Sequence, residues 1–388
     1  MWEDWLQHAH EKREEKYLQR SLTVTDNAVK PVVRRNGKRL INFSSNNYLG
    51  LADHPDIKKK MIAAVDQGAG ATSSRLIIGH GSEIEQLEQE VAHFHGKEAA
   101  LVIANGYMAN LGVLSTLLSP QDAVFSDQYN HASIVDGIRL SGAKSFRYRH
   151  LNMDHLEKML KRAQAKGYQK KLIITDTVFS MDGDWAPLND LIMLKRKYDA
   201  ALVVDEAHGV GVWGMQGQGL AHHLGTIQEI DLLLGTFSKA FGVYGAYVAG
   251  SKLWIDYLVN QMRSLIYTTG LPPTVIAGIR AALKQVQAGT ILRSKLHSHY
   301  QYFHAQLRRI GFHTGLSQTQ IIPIYIGENQ QALQLSHQLF ERGILAVPIR
   351  PPTVPVGEAR LRFSLMASHE QDHLTYTLDV LEELWKKK

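Results

Sequence analysis

Lys239 stands in the stretch GTFSKAFGVYG, residues 235–245, with Thr236 three positions before it and Gly242 three after. The apolar run 232–234 just upstream reads as a buried strand, which puts the lysine at the mouth of a sheet among hydroxyls and glycines. Burial disfavours an ammonium, and the free amine is a nucleophile able to form a Schiff base with a carbonyl. A lysine in a solvated turn fits the same stretch, so the choice rests on what else the chain supplies.

Other strand ends carry reactive groups too. Asp205 closes the run AALVVDEAHG, with His208 three residues on. A carboxylate there is partly desolvated and needs a cationic partner. Asn105-Gly106-Tyr107, Asp127 to His131, and Ser180 occupy comparable positions. In open α/β sheets ligands bind beyond the carboxyl ends of the strands, so donors, acids and histidines at several such ends point to one shared site. Gly106-Tyr107-Met108 also opens a helix, where free amides and the helix dipole suit a phosphate.

Three short motifs carry less weight. DEAH, residues 205–208, invites a nucleic-acid ATPase, in which the acid would hold magnesium beside a nucleotide. That chemistry needs G-x-x-x-x-G-K-[ST], and the sequence has none. GVGVWG, residues 209–214, matches G-x-G-x-x-G, but DEAH separates it from the strand and no apolar helix follows. Those glycines suit a loop passing close to a ligand or another chain. His369-Glu370-Gln371-Asp372-His373 matches H-E-x-x-H. Ser368, however, reads as the N-cap of a helix over 369–385, with Gln371 completing a capping box. Leu374, Leu378, Leu381 and Trp385 place the packing face elsewhere, and no metal is expected.

The positioning elements follow from hydrophobic periodicity. From residue 98, short apolar strands near 99–104, 123–126, 145–148, 172–175, 201–204, 232–236 and 246–249 are separated mostly by helical patterns. This alternation predicts the α/β class, a largely parallel sheet covered on both faces. Helices at 252–263, 273–287 and 293–310 break the rhythm, and 320–388 reads as a smaller α+β domain. Upstream, 2–19 reads as a mostly solvated helix and 31–43 as a hairpin turning at Asn36-Gly37. Helices at 56–66 and 83–95 follow, the second ended by Gly96. The expected divisions are 1–45, 46–285 and 286–388.

Composition narrows the function classes. With 388 residues and no cysteine, the chain has no disulfide, thiolate metal site or cysteine nucleophile, which fits a reducing compartment. A net charge of +6 without a long basic run is no nucleic-acid footprint. The sequence contains no apolar stretch long enough for a spanning helix. The charged N-terminus lacks the apolar core of a secretory signal. A cytoplasmic protein without nucleic-acid or membrane partners is the expectation.

The motifs NFSSNNYLGL, ANGYMAN, HASIVDG, TDTVFSMDGDWAPL, VVDEAHGVG and GTFSKAFG occur in that order between residues 42 and 245, and IRPPTVPVGEARLRFSL follows near the C-terminus. As a set they resemble the α-oxoamine synthases, a branch of the fold-type-I pyridoxal-phosphate (PLP) enzymes. IRPPTVP is most similar to the biotin-pathway members. The resemblance implies a fold-type-I PLP-dependent transferase that condenses L-alanine with pimeloyl-CoA or a pimeloyl-carrier protein, releasing carbon dioxide and thiol, and works as a homodimer with the site at the subunit interface. It implies that Lys239 holds PLP covalently and moves the substrate α-proton. Asp205 would face the pyridine nitrogen, His131 the ring and His208 the phenolic oxygen. Gly106, Tyr107, Thr236 and Ser238 would hold the phosphate, with Thr268 or Thr269 reaching that of the neighbouring subunit. Asn46, Ser180 and Arg362 would orient the amino-acid carboxylate, for which an arginine fork is suited. Arg20, Arg350 and Thr353 would line the acyl pocket. A sister branch such as the glycine C-acetyltransferases is the near alternative, and a DEAH-type ATPase the remote one. Two departures stand out: Ile84 where the family often has histidine, and GATSSR at 70–75 in place of a glycine-serine-rich run.

Overall fold

Runs of valine, isoleucine and leucine bury both faces of a strand, which is what a sheet covered by helices on each side requires. In the computed structural model, which describes residues 1–386, these runs form a seven-stranded sheet. Its order is Ala99–Ile103, Ala246–Gly250, Leu232–Thr236, Ala201–Asp205, Lys171–Asp176, Ala123–Asp127, Lys144–Tyr148. Ala246–Gly250 runs antiparallel to both neighbours, and the other pairings are parallel. The sheet belongs to a unit comprising residues 51–179 and 185–293. Helices Gly106–Leu117 and Ala132–Ser141 bury Val113, Leu114, Ile134 and Ile138 in one cluster with Ile174, Val203, Leu234 and Val248 from the strands.

Register places the chemistry. Asp176 pairs with Asp205 across parallel strands, so the two acids lie side by side at one end of the sheet. Thr236 pairs with Ala246, so Lys239 lies in the connection of an antiparallel pair. Gly242 in that connection has φ +70°, and a Cβ there would fall 2.2 Å from Ala52 N. Only glycine tolerates both the left-handed backbone and the close approach.

The second unit comprises residues 1–50, 180–184 and 294–388. One antiparallel sheet orders Ile321–Gly327, Ala359–Ser364, Val347–Ile349. A second joins the hairpin Val32–Arg35 and Lys38–Asn42 to Ile344–Leu345. The hairpin turns at Asn36 and Gly37, both at positive φ (51° and 76°), the conformation a two-residue turn demands. The short stretch 180–184 joins this unit through backbone: Gln318 N donates to Gly183 O at 2.9 Å, and a Cβ on Gly183 would sit 1.9 Å from Ile321 O. The helix Trp2–Glu15 buries no residue.

One expectation is corrected here. The last helix is Gln371–Lys386, beginning two residues later than the Ser368 capping signal predicts, and Ser368 does not cap it. His369 is fully buried in the turn before the helix. Its Nδ1 accepts from Met366 N at 3.1 Å and its Nε2 donates to Asn42 O at 3.0 Å. Burial holds its pKa down to about 3, so the ring is neutral and both nitrogens are engaged by backbone. His369 and His373 therefore do not share a helix face.

Candidate active site

The carboxyl ends of the central strands bring Lys239, His208, Asp205 and His131 into one unit. Lys239 Nζ lies 2.9 Å from His208 Nε2. Asp205 ends its strand, 6% exposed, and accepts Ala207 N–H at 2.8 Å and Asn110 Nδ2–H at 2.7 Å. Among the described residues it has no ion pair, and a desolvated carboxylate bound only by neutral donors calls for a cation. A protonated ring nitrogen would answer that call. His131 caps the helix Ala132–Ser141, its Nδ1 accepting from Ser133 N at 3.3 Å. Its backbone N–H donates to Asp176 Oδ2 at 2.9 Å.

Asp176 has no counterpart among the expected site residues. Burial raises its pKa well above the usual carboxylate range, and neighbouring Asp205 adds to the effect. A protonated Asp176 beside Asp205 avoids placing two adjacent charges in a dry site.

The residues expected at a phosphate divide into three groups. Gly106 and Tyr107 begin the helix Gly106–Leu117, with Asn105 as the N-cap accepting Met108 N–H at 2.9 Å. A Cβ at Gly106 would meet nothing within 4 Å, so space stands open beside the free amides, as a small anion needs. The Tyr107 hydroxyl donates to Asp136. Thr236 and Ser238 are engaged locally: Thr236 Oγ1 donates to Gly245 O at 2.9 Å and accepts Ser238 N–H at 3.1 Å, while Ser238 Oγ donates to Gly245 O at 3.3 Å. Thr268 and Thr269 lie with 73–75 instead: Thr269 bridges Ser74, and Gly270 N donates to Ser73 O at 3.0 Å. The neighbouring Arg75 pairs with Glu88 at 2.7 Å and donates to Val102 O at 3.0 Å.

The second unit carries its own cluster. Arg362 is 5% exposed on Ala359–Ser364. Its Nε donates to Ser180 O at 2.5 Å, Nη1 to Ser364 Oγ at 2.6 Å and Nη2 to Asn46 Oδ1 at 3.0 Å. Asn46, Ser180 and Arg362, distant in sequence, thus meet. Arg360 is fully buried two residues away. It pairs with Asp182 and lies 4.2 Å from the centre of the Tyr325 ring. Arg20, Arg350 and Thr353 also come together: Arg20 Nη2 donates to Pro351 O at 3.2 Å, Arg350 to Tyr17 O, and Thr353 N to Arg350 O at 3.1 Å.

Asn110, Ser133 and Asp176 are polar residues that sequence reading passed over. The available signal was a buried amide in an apolar helix: Asn110 is flanked by Ala109, Leu111, Val113 and Leu114.

The chain is similar to known proteins over its whole length. The model of the family "Aminotransferase class I and II" matches residues 38–381. A relative from Bacillus cereus (strain Q1), provisionally named 8-amino-7-oxononanoate synthase, is 46% identical over 388 residues, covering 100% of this chain and 98% of the relative. Among solved structures, a serine palmitoyltransferase from S. paucimobilis with PLP and myriocin bound superposes with TM-score 0.93 at 29% identity, covering 99% of this chain and 97% of the other. An 8-amino-7-oxononanoate synthase from Francisella tularensis superposes with TM-score 0.79 at 30% identity, covering 90% and 98%. With a sheet of this order, a lysine and buried acid at its carboxyl end, and these full-length matches, the chain belongs to the aminotransferase class I and II family.

Proposed function

We propose that this chain is a PLP-dependent acyltransferase that joins L-alanine to a pimeloyl thioester, giving 8-amino-7-oxononanoate, carbon dioxide and free thiol. The observation that carries the PLP reading is the pairing of Lys239 with His208 in the same unit as Asp205, a buried carboxylate without an ion pair among the described residues. The pimeloyl and alanine specificity is supported by the names of the relatives and by IRPPTVP.

In this reading Lys239 would hold PLP through Nζ, and Asp205 and His208 would serve its ring nitrogen and phenolic oxygen. His131 covers the ring, while Gly106, Tyr107, Thr236 and Ser238 serve the phosphate. Thr268 or Thr269 acts on the neighbouring subunit's phosphate in a homodimer. When bound, PLP supplies an electron sink for charge developing at the substrate Cα. Once the amino group of alanine has displaced it from the cofactor, Lys239 Nζ would take the α-proton and, after Cα has joined the acyl carbon with loss of the thiol and carbon dioxide has left, would return a proton to the same carbon. Arg362, with Asn46 and Ser180, orients the carboxylate and so selects which Cα bond breaks. Arg20, Arg350 and Thr353 receive the acyl chain. A cytoplasmic location belongs to this reading; no described helix is long and apolar enough to cross a membrane.

The test is thiol release from pimeloyl-CoA by the PLP-loaded protein supplied with alanine, glycine or serine. Release with alanine alone is expected. Release with glycine and acetyl-CoA instead would move the chain to a sister branch, consistent with its likeness to a serine palmitoyltransferase. A Lys239→Ala variant is expected to lose both the visible absorbance of bound PLP and turnover, and full activity in that variant would refute the lysine's role.

A further inference from the structure

Asn110 is 2% exposed, and its Nδ2 bridges two groups, Asp205 Oδ2 at 2.7 Å and Ser133 Oγ at 3.0 Å. Ser133 is fully buried and continues the chain, its Oγ lying 2.8 Å from His131 Nδ1. The bond directions follow from the groups themselves. An amide nitrogen only donates, so both N–H bonds of Asn110 are used, and the flipped amide would set its oxygen against the carboxylate. Ser133 Oγ accepts one of them and donates its single proton to Nδ1. The backbone N–H of Ser133, 3.3 Å from the same Nδ1, can only donate. His131 Nδ1 is therefore an acceptor, and the neutral ring carries its proton on Nε2. Desolvation lowers the His131 pKa, aided by Lys239 and opposed by Asp205 and Asp136, which favours that neutral ring.

Asn110 Oδ1 is buried without a hydrogen-bond partner among the described residues. An orphaned acceptor is unfavourable, so the side chain's place here is accounted for by its donors. No other residue type substitutes easily. Serine reaches one partner only, aspartate adds a third acid beside Asp205 and Asp176, and glutamine is longer by a methylene.

We propose that Asn110 and Ser133 are positioning residues that tie the carboxylate of Asp205 to the imidazole of His131 and fix the Nε2–H tautomer of that ring. The proposal rests on the PLP reading above, in which Asp205 and His131 serve one ring. Through this link, the carboxylate of Asp205 and the donor presented by His131 are set together rather than independently.

The experiment uses the PLP-loaded protein with ¹⁵N-labelled histidine, the His131 resonances being assigned by their loss in His131→Gln. Wild type is expected to show an unprotonated Nδ1 and a protonated Nε2. Ser133→Ala and Asn110→Ala are expected to show mixed tautomers and a kcat lower by roughly 10-fold with an unchanged KM for the amino acid. They should also displace the pH dependence of the bound PLP absorbance, with Ser133→Thr restoring the wild-type tautomer. An unchanged tautomer in both alanine variants would overturn the proposal. So would a wild-type His131 protonated on Nδ1, for which no variant need fold. A wild-type protein that never takes up PLP would refute the functional reading, while the same resonances still decide whether the link exists.

Discussion

Glu206 offers a perturbation whose size can be worked out. It lies between Asp205 and His208 and is fully buried. Its Oε2 accepts from Thr177 Oγ1 at 2.8 Å and Leu220 N at 3.0 Å, and its Oε1 from Ala221 N at 2.7 Å. Gly209 and Gly219 close over it, so that a Cβ on either would come within 2.0 or 2.7 Å of its carboxylate group. The carboxyl thus fastens the loop after Asp205 and His208 to the start of the helix Leu220–His223. Burial raises its pKa to about 7 despite these hydrogen bonds, with Asp205 adding to the rise. In the unfolded chain the group titrates near 4.5. Between those values the folded protein holds a proton that the unfolded chain has lost, so this group's contribution to stability falls as pH rises from 4.5 to about 7. At about 1.4 kcal/mol per tenfold, the change across the window is about 3 kcal/mol. Glu206→Gln removes the titration, and its amide faces at least one N–H donor, a pH-independent cost of roughly 1–3 kcal/mol. Urea unfolding of wild type and variant at several pH values from 4.5 to 7.5 isolates the effect, because every other titrating group cancels in the difference. The advantage of wild type over variant is expected to shrink by about 3 kcal/mol across this range. A difference independent of pH would refute the reasoning, since Glu206 would then titrate alike in the folded and unfolded states.

Other consequences follow from the same geometry. Arg362→Lys loses the planar fork bonded to Ser180, Ser364 and Asn46, and is expected to raise the KM for alanine roughly 10-fold or more while leaving bound PLP absorbance intact. Steady-state kinetics with a constant KM would dispose of that role. Gly242→Ala must place a Cβ 2.2 Å from Ala52 N at φ +70°, a cost of about 1–2 kcal/mol for the left-handed backbone alone. Weaker PLP uptake in absorbance titrations is expected, with far-UV circular dichroism unchanged. Wild-type uptake would mean that the connection shifts without moving Lys239.

Much of the fold was legible because its signals are local. Buried parallel strands declare themselves as unbroken apolar runs, and the predicted strands near 99–104, 201–204 and 232–236 match Ala99–Ile103, Ala201–Asp205 and Leu232–Thr236 within a residue. The Asn36-Gly37 turn was readable because few residue pairs accept positive φ twice in succession. The start of the last helix was misjudged for an equally physical reason. Ser368 and Gln371 have the spacing of a capping box, but the buried bonds of His369 to Asn42 and Met366 hold the chain in a turn there. Tertiary contacts override a local cap when they engage otherwise unpaired backbone groups.

The sequence by itself determined the class of sheet, the presence of a lysine, an acid and histidines at strand ends, and, through its ordered motifs, the family. Periodicity and motif are properties of neighbouring residues, so a linear chain displays them. Only the tertiary structure decided that Asp176 stands beside Asp205, that Asn110 and Ser133 connect Asp205 to His131, and that Ser180 is held by Arg362. Those facts depend on strand register and on side chains far apart in the chain, and register is fixed by packing and hydrogen bonding of whole strands rather than by any short stretch.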